Sequence, residues 1–255
     1  MKALILAGGR GKRLGELTQS KNKCILEIHG RPLVTYSLDC ASQMDASEIV
    51  IVVGYQADEL MKIVGNEYKG KPVRYVFQKE QKGLVHAIEC AKDSIGKENF
   101  FLFLGDELMV NPKHKEMACF IQQEKPFVSC GMIKVQDPNL ISKTYAIKEE
   151  NGSIVDLIEK PDAGVLKSGT VRADLMGTGN CFFNNEIFSY IPRTPINPKR
   201  GERELPDLIK AAVLDHQKVK SYLICDEYYN VNVKEEIRDA ESFFTHFSEG
   251  EDHAL

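Results

Sequence analysis

The chain lacks the features that mark several large classes of protein. It has no excess of basic charge, because 33 lysines and arginines stand against 37 aspartates and glutamates for a formal net charge of -4. That leaves no electrostatic footprint for a nucleic-acid surface. It has no C-x-x-C pair. Its seven cysteines, Cys24, Cys40, Cys90, Cys119, Cys130, Cys181 and Cys225, are odd in number and scattered. They argue against a disulfide frame or a zinc site and for reduced, mostly buried thiols. No stretch approaches the ~18 consecutive apolar residues of a membrane span, and Met1-Lys2 leads straight into a short apolar segment. The expectation is a cytoplasmic protein with neither a membrane nor a nucleic-acid partner. Internal repeats and low-complexity linkers are missing as well.

What is there is a long, globular composition: 255 residues, 43% of them hydrophobic, ample for one large domain or two small ones. Over the first 110 residues, Ala3 to Ala7, Ile49 to Val53, Val73 to Phe77 and Phe100 to Leu104 are continuous apolar runs rather than alternating ones. Parallel strands covered on both faces have this pattern. Between them, Pro32 to Met44, with Pro at the first helical position, and Gly83 to Ile95 carry helical spacing. The alternation predicts βαβ crossovers, and so an α/β fold with a Rossmann-like, doubly wound, mixed but mainly parallel sheet. After Pro126 the texture becomes strand-rich. Phe127 to Val135, Tyr145 to Lys148, Ile154 to Ile158 and Cys181 to Phe183 are separated by Asp137-Pro138, Asn151-Gly152 and Gly177-Thr178-Gly179. Two helices are expected near Glu204 to Leu214 and Lys234 to Phe244. One continuous domain over 1–248 is predicted, in two halves (1–110 and 111–248), with a tail over 249–255.

The segment Leu4 to Leu14, LILAGGRGKRL, places a glycine-rich basic loop directly after the first strand. Such loops grip phosphate, since glycines let the backbone approach closely. It is not a Walker A loop: Leu6 stands where the first Gly belongs and Arg13 where the hydroxyl belongs. Nor is it a dinucleotide fingerprint, because position 14 is Leu and the second strand ends Val52-Val53-Gly54 without the ribose-binding acid.

Several segments together carry a resemblance. Gly8-Gly9-Arg10-Gly11-Lys12-Arg13-Leu14 is followed by Lys23 before an apolar strand, then by Gly30-Arg31-Pro32-Leu33. Further on come Gln78 with Gly83-Leu84-Val85-His86-Ala87, Leu104-Gly105-Asp106, Glu159-Lys160-Pro161, Gly179-Asn180-Cys181-Phe182-Phe183, and Tyr229-Asn230-Val231-Asn232. In this order, over residues 2 to 245, they resemble the sugar nucleotidyltransferases, the sugar-1-phosphate pyrophosphorylases, and within them the thymidylyl- and uridylyltransferases of glucose 1-phosphate. No hexapeptide-repeat domain is expected to follow.

The resemblance implies a GT-A-like nucleotidyltransferase fold and a reaction in which a sugar phosphate attacks the α-phosphorus of a nucleoside triphosphate, releasing pyrophosphate. The first half then binds the nucleotide and the second half the acceptor. It assigns catalysis to Arg13, Lys23 and Asp106, and nucleotide binding to Leu6, Ala7, Gly8, Gly9, Gly11, Lys12, Gln78, Gly83 and Gly105. Acceptor binding falls to Glu159, Lys160, Gly179 and Asn180, and Mg2+ to Asp106 with Asn230, whose amide replaces the usual second carboxylate. Gln78 and the Gly83 backbone would read a pyrimidine imide, favouring UTP or dTTP, while His86 is expected to pack or cap rather than catalyse. Asn22-Lys23 replaces the usual Pro-Lys, which should loosen the loop while keeping the charge. Homo-oligomers are common in the family.

The chemistry suits these residue types. A phosphate monoester with a second pKa near ~6 is already mostly dianionic, so no general base is required. The obstacle is bringing two anions together, and unit charges ~4 Å apart interact by ~4 kcal/mol at an effective dielectric near 20. Two or three cations and a divalent metal therefore decide the rate. Rival readings are a cytidylyltransferase acting on another phosphorylated alcohol or sugar, a non-catalytic regulatory relative that binds nucleotide-sugar, and a glycosyltransferase. The last usually carries D-x-D where this chain has Asp106-Glu107-Leu108.

Overall fold

The computed structural model describes residues 1–251, with side chains as far as 242. The first half runs β1 (Lys2–Ala7), β2 (Glu27–Ile28), β3 (Arg31–Pro32), α1 (Leu33–Gln43), β4 (Ile49–Val53), α2 (Ala57–Val64), β5 (Glu67–Tyr68), β6 (Lys71–Phe77), α3 (Leu84–Cys90), α4 (Lys92–Ile95) and β7 (Phe100–Leu104). The second continues with β8 (Glu107–Val110), α5 (His114–Glu124), β9 (Val128–Lys134), β10 (Tyr145–Glu150), β11 (Ser153–Glu159), α6 (Ala163–Lys167), β12 (Leu175–Phe183), α7 (Leu205–Leu214), β13 (Val219–Leu223), β14 (Glu227–Asn230) and α8 (Lys234–Glu251).

An eight-stranded sheet in the order β13-β9-β12-β7-β1-β4-β6-β5 forms the centre. Strands β7, β1, β4 and β6 are mutually parallel, whereas β12 runs antiparallel to both β7 and β9. The expected α/β fold with a mixed, mainly parallel sheet is what is found. The continuous apolar runs follow from burial on two sides. Ala3, Ile5, Ile49, Ile51, Phe101 and Phe103 face one core, packed with α1 and α2, and Leu4, Val50, Val52, Phe100 and Leu102 face the other, packed with α3 and α7.

Differences from the sequence expectation are local. Helical spacing over Gly83 to Ile95 breaks at Ala91 into α3 and α4. Pro32 precedes the first turn of α1 rather than opening it. Gly177-Thr178-Gly179, expected as a break, lies inside β12, all nine of whose residues are buried, with a register irregularity between Gly177 and Cys181. Of the tail expected over 249–255, residues 249–251 belong to α8 and 252–255 lie outside the described residues. The seven cysteines are unpaired, and only Cys119 is exposed. Among the described residues, no helix is long and apolar enough to cross a membrane.

From β1 the chain moves to β4 and β6 on one side, then returns to β7 on the other. The loops leaving β1 and β7 therefore diverge, and a crevice opens beyond the carboxyl ends of the strands, where open α/β sheets bind ligands.

Candidate active site

A cleft of about 530 Å³ occupies that crevice. Its floor is the end of β1: Gly105 donates its N–H to the Leu6 carbonyl at 2.9 Å and sits against Ala7 and Cys24. Gly8 is tied down from two sides, its carbonyl accepting from the Tyr55 backbone at 3.2 Å and from Gln81 Nε2 at 2.6 Å. Gly9 has open space where a side chain would stand. Gly11 takes a left-handed conformation, φ 66°, and a Cβ there would lie 3.0 Å from that of Lys23, so glycine is required twice over. Lys12 and Arg13 then begin a 3-10 segment that Thr18 fastens by donating to the Gly11 carbonyl at 2.8 Å.

Asn22 corrects one expectation. Rather than loosening the loop, it is fully buried and donates to the carbonyls of Ala7 and Tyr55 at 2.9 and 2.7 Å, while its own oxygen accepts from Cys24 N at 2.8 Å. It binds the end of β1, the end of β4 and the segment carrying Lys23 into one piece. Lys23, 6% exposed, ion-pairs with Asp106 and donates to Asn232 Oδ1 at 2.9 Å. Arg13 donates to the same Asn232 oxygen at 2.9 Å. Arg13, Lys23 and Asp106 are thus brought together as expected.

Asn230 is not the amide that meets them. Two residues apart on an extended chain, Asn230 and Asn232 both reach the same side, but Asn232 lies in front and donates to Asn230 Oδ1 at 2.6 Å. Asn232 is held there because the Glu236 carboxylate accepts from its backbone N–H at 2.7 Å and from that of Val233 at 3.2 Å, a carboxylate reaching back from the first turn of α8. Asn230 instead donates to the Tyr228 hydroxyl at 3.3 Å, and Tyr228 donates to Glu107.

Across the cleft, Gln78 is 7% exposed and its Nε2 lies 3.0 Å from the Gly83 carbonyl and 3.1 Å from His86 Nδ1. A carbonyl only accepts, so the atom facing it is the amide nitrogen and the Gln78 oxygen is the free acceptor. Gly83 adopts φ 90° and leaves room for Glu202, whose Oε2 would sit 2.7 Å from a Cβ.

Burial pushes the Glu159 carboxyl above its ordinary range against the pull of Lys160, whose ammonium is 3.4 Å away. Arg200, which the sequence reading did not single out, reaches from the cleft wall to Glu204 at 3.0 Å and Glu159 at 3.8 Å. Its signal was a charged turn, Lys199-Arg200-Gly201-Glu202, just ahead of α7.

Gly179 and Asn180 are placed differently from the expectation. The Gly179 N–H donates to Glu107 Oε1 at 3.0 Å, and the Leu104 side chain fills the space beside its Cα. Asn180, 2% exposed, spends its amide on Glu107 Oε2 at 2.5 Å and on His114 Nε2 at 3.0 Å. Both belong to a buried polar cluster around Glu107 rather than to the cleft. Burial pushes the Glu107 carboxyl up to about 8, countered by Tyr228, and pushes the His114 imidazole down to about 4.

A family model described as nucleotidyl transferase matches residues 2–244. The chain belongs to the nucleotidyl transferase family. This nucleotidyltransferase is 28% identical over 242 residues to the UTP-glucose-1-phosphate uridylyltransferase of Haloferax volcanii, covering 94% of this chain and 95% of that one. It is 28% identical over 228 residues to the glucose-1-phosphate thymidylyltransferase of Streptomyces griseus, covering 88% of this chain and 60% of the other. A UDP-glucose pyrophosphorylase solved with UDP-glucose superposes with a TM-score of 0.84 at 23% identity, over 96% of this chain and 98% of the other. That similarity shares the fold expected for the GT-A-like nucleotidyltransferases.

Proposed function

We propose that this nucleotidyltransferase joins UTP or dTTP to a sugar 1-phosphate, giving a nucleoside-diphosphate sugar and pyrophosphate. The observation that carries the reading is the convergence of Arg13, Lys23, Asp106 and Asn232 at the mouth of the loop 8–11. An oxygen of the acceptor phosphate attacks the α-phosphorus, the new P–O bond forms as the bond to the bridging oxygen breaks, and pyrophosphate leaves with that electron pair. The backbone amides of residues 8–11 and the Arg13 guanidinium hold the β- and γ-phosphates, the latter as a planar fork. Lys23 supplies a compact charge at the α-phosphate, where negative charge develops. Lys160 receives the acceptor phosphate and Glu159 accepts from its hydroxyls, with Arg200 bridging the two sides.

Among the described residues there is no group of three or more His, Cys, Asp or Glu fit to hold a metal, yet the site fits Mg2+ of the kind that leans on substrate phosphates. The hard oxygens of Asp106 and Asn232 already converge on one positive charge, the Lys23 ammonium. When bound, the ion neutralises phosphate charge and helps align the phosphates for in-line displacement. A cytoplasmic location agrees with seven unpaired thiols.

The test is pyrophosphate release with Mg2+ across UTP, dTTP, CTP, GTP and ATP, each with glucose 1-phosphate and other phosphorylated acceptors. Release with UTP or dTTP and one sugar 1-phosphate is expected. Release with CTP and an alcohol phosphate alone, or nucleotide binding without release under any pair, overturns the reading.

A further inference from the structure

His86 takes no part in the reaction just described, yet its ring is placed against the one side chain aimed at the base. Gln78 has two amide hydrogens and both are taken inside the protein, one by the Gly83 carbonyl at 3.0 Å and one by His86 Nδ1 at 3.1 Å. Because the amide nitrogen can only donate, Nδ1 must present its lone pair, and the ring proton sits on Nε2, which faces the Cys90 sulfur one turn along α3 at 3.8 Å. The Gln78 oxygen is then turned the other way. It lies 3.2 Å from the position a Cβ on Gly8 would take, against the loop that lines the cleft. Turning the amide over would set its oxygen against the Gly83 carbonyl and would force the imidazole to carry its proton on Nδ1 instead, giving up the N–H that Nε2 directs at the Cys90 sulfur.

We infer that His86 is a specificity-determining positioning residue: through Gln78 it fixes a hydrogen-bond acceptor in the base pocket, so the site takes a pyrimidine whose ring N3 carries a proton. Uracil and thymine donate from N3. Cytosine presents a lone pair there and would face the oxygen of the buried Gln78 side chain acceptor to acceptor. A site built around one hydrogen bond rejects the isostere that cannot make it, because the buried group is left unpaired. With His86 removed, the Gly83 carbonyl alone opposes the reversed amide, and the reversed amide would donate to cytosine N3. The inference rests on the pyrimidine reading proposed above and adds what enforces it.

The experiment measures the ratio of kcat/KM for UTP to that for CTP in wild type, His86→Leu, His86→Phe and His86→Asn, together with Kd for UTP and CTP by calorimetry. Wild type favours UTP. His86→Leu loses about tenfold of that ratio, with the change in KM rather than in kcat at saturating UTP. His86→Asn, whose Oδ1 can stand in for Nδ1, retains it. His86→Phe keeps the ring volume and gives the same loss as Leu, so a variant that fails to fold leaves the other to decide. A merely structural role would weaken both nucleotides together and leave the ratio unmoved. An unchanged ratio in the folded Leu or Phe variant, or the same loss in Asn, overturns the inference. Should no acceptor support turnover, the reaction proposed above fails while the two Kd values still decide this one.

Discussion

Asp106 and Glu107 follow one another at the carboxyl end of β7 and enter opposite surroundings. Asp106 faces the open cleft, where it shares Lys23, and through Lys23 meets Asn232 and Arg13. Glu107, 3% exposed, faces the packed layer beneath, where the Gly179 N–H, the Asn180 amide and the Tyr228 hydroxyl all donate to it. One cluster pools charge that only a ligand can use fully. The other satisfies its carboxylate with the protein's own atoms. Substitution in the first should therefore appear in turnover, and in the second, stability.

Three outcomes test that division, from the largest effect down. Lys23→Ala is expected to lower kcat/KM by roughly 10²–10⁴-fold, about 3–5 kcal/mol of transition-state stabilisation, with a melting temperature near that of wild type. Steady-state kinetics and calorimetry check it, and a loss under tenfold would remove Lys23 from the α-phosphate. Asn180→Leu strands Glu107 Oε2 and the His114 ring N–H together and should cost about 2–4 kcal/mol in denaturant unfolding, while kcat/KM of the folded protein changes less than tenfold. A stability loss well under 1 kcal/mol, or a collapse in turnover, would blur the two clusters into one.

His114 gives the smallest effect and carries a sign. It is wedged between Phe101 and Phe103 with ring centroids 5.3 and 5.1 Å away, and burial holds its pKa down to about 4 against 6.5 when unfolded. Between those values the unfolded chain binds a proton that the folded chain does not, so stability is complete above pH 6.5 and falls as pH drops towards 4. From pH 6.5 to 5 this residue should account for about 2 kcal/mol of lost stability. His114→Phe should lack that component in paired urea melts; identical pH slopes would show that the ring is solvated.

The open cluster was far more legible than the closed one. Continuous runs such as Ile49–Val53 disclose strands buried on both faces, and the glycine spacing of the loop 8–11 discloses a tight turn at the strand end, because local geometry demands those residue types. What stayed hidden depends on which way a side chain turns. Asn230 and Asn232 share one face of an extended segment, and only the back-reaching Glu236 carboxylate and the pairing of β14 with β8 decide which amide stands in front. Glycines 177 and 179 read as a break because flanking bulk is invisible in one dimension; the Tyr145 ring covers the first and Leu104 the second. Arg200 belongs to a turn with no period, and its role emerges only when α7 brings it beside Glu159.

The three hydrogen bonds of Asn22 divide the long connection between β1 and β2 into parts of different standing. Everything from Asn22 onward is riveted to the sheet, whereas Lys12 to Lys21 hang outside it, mostly exposed and capped by their own turns. Lys23 thus takes its coordinates from the sheet's framework and not from the lobe that precedes it in sequence. Outside Arg13, which meets Asn232, and the buried Leu14 and Thr18, that lobe is free to drift in composition over evolutionary time, or at an engineer's hand, without moving the Lys23 ammonium.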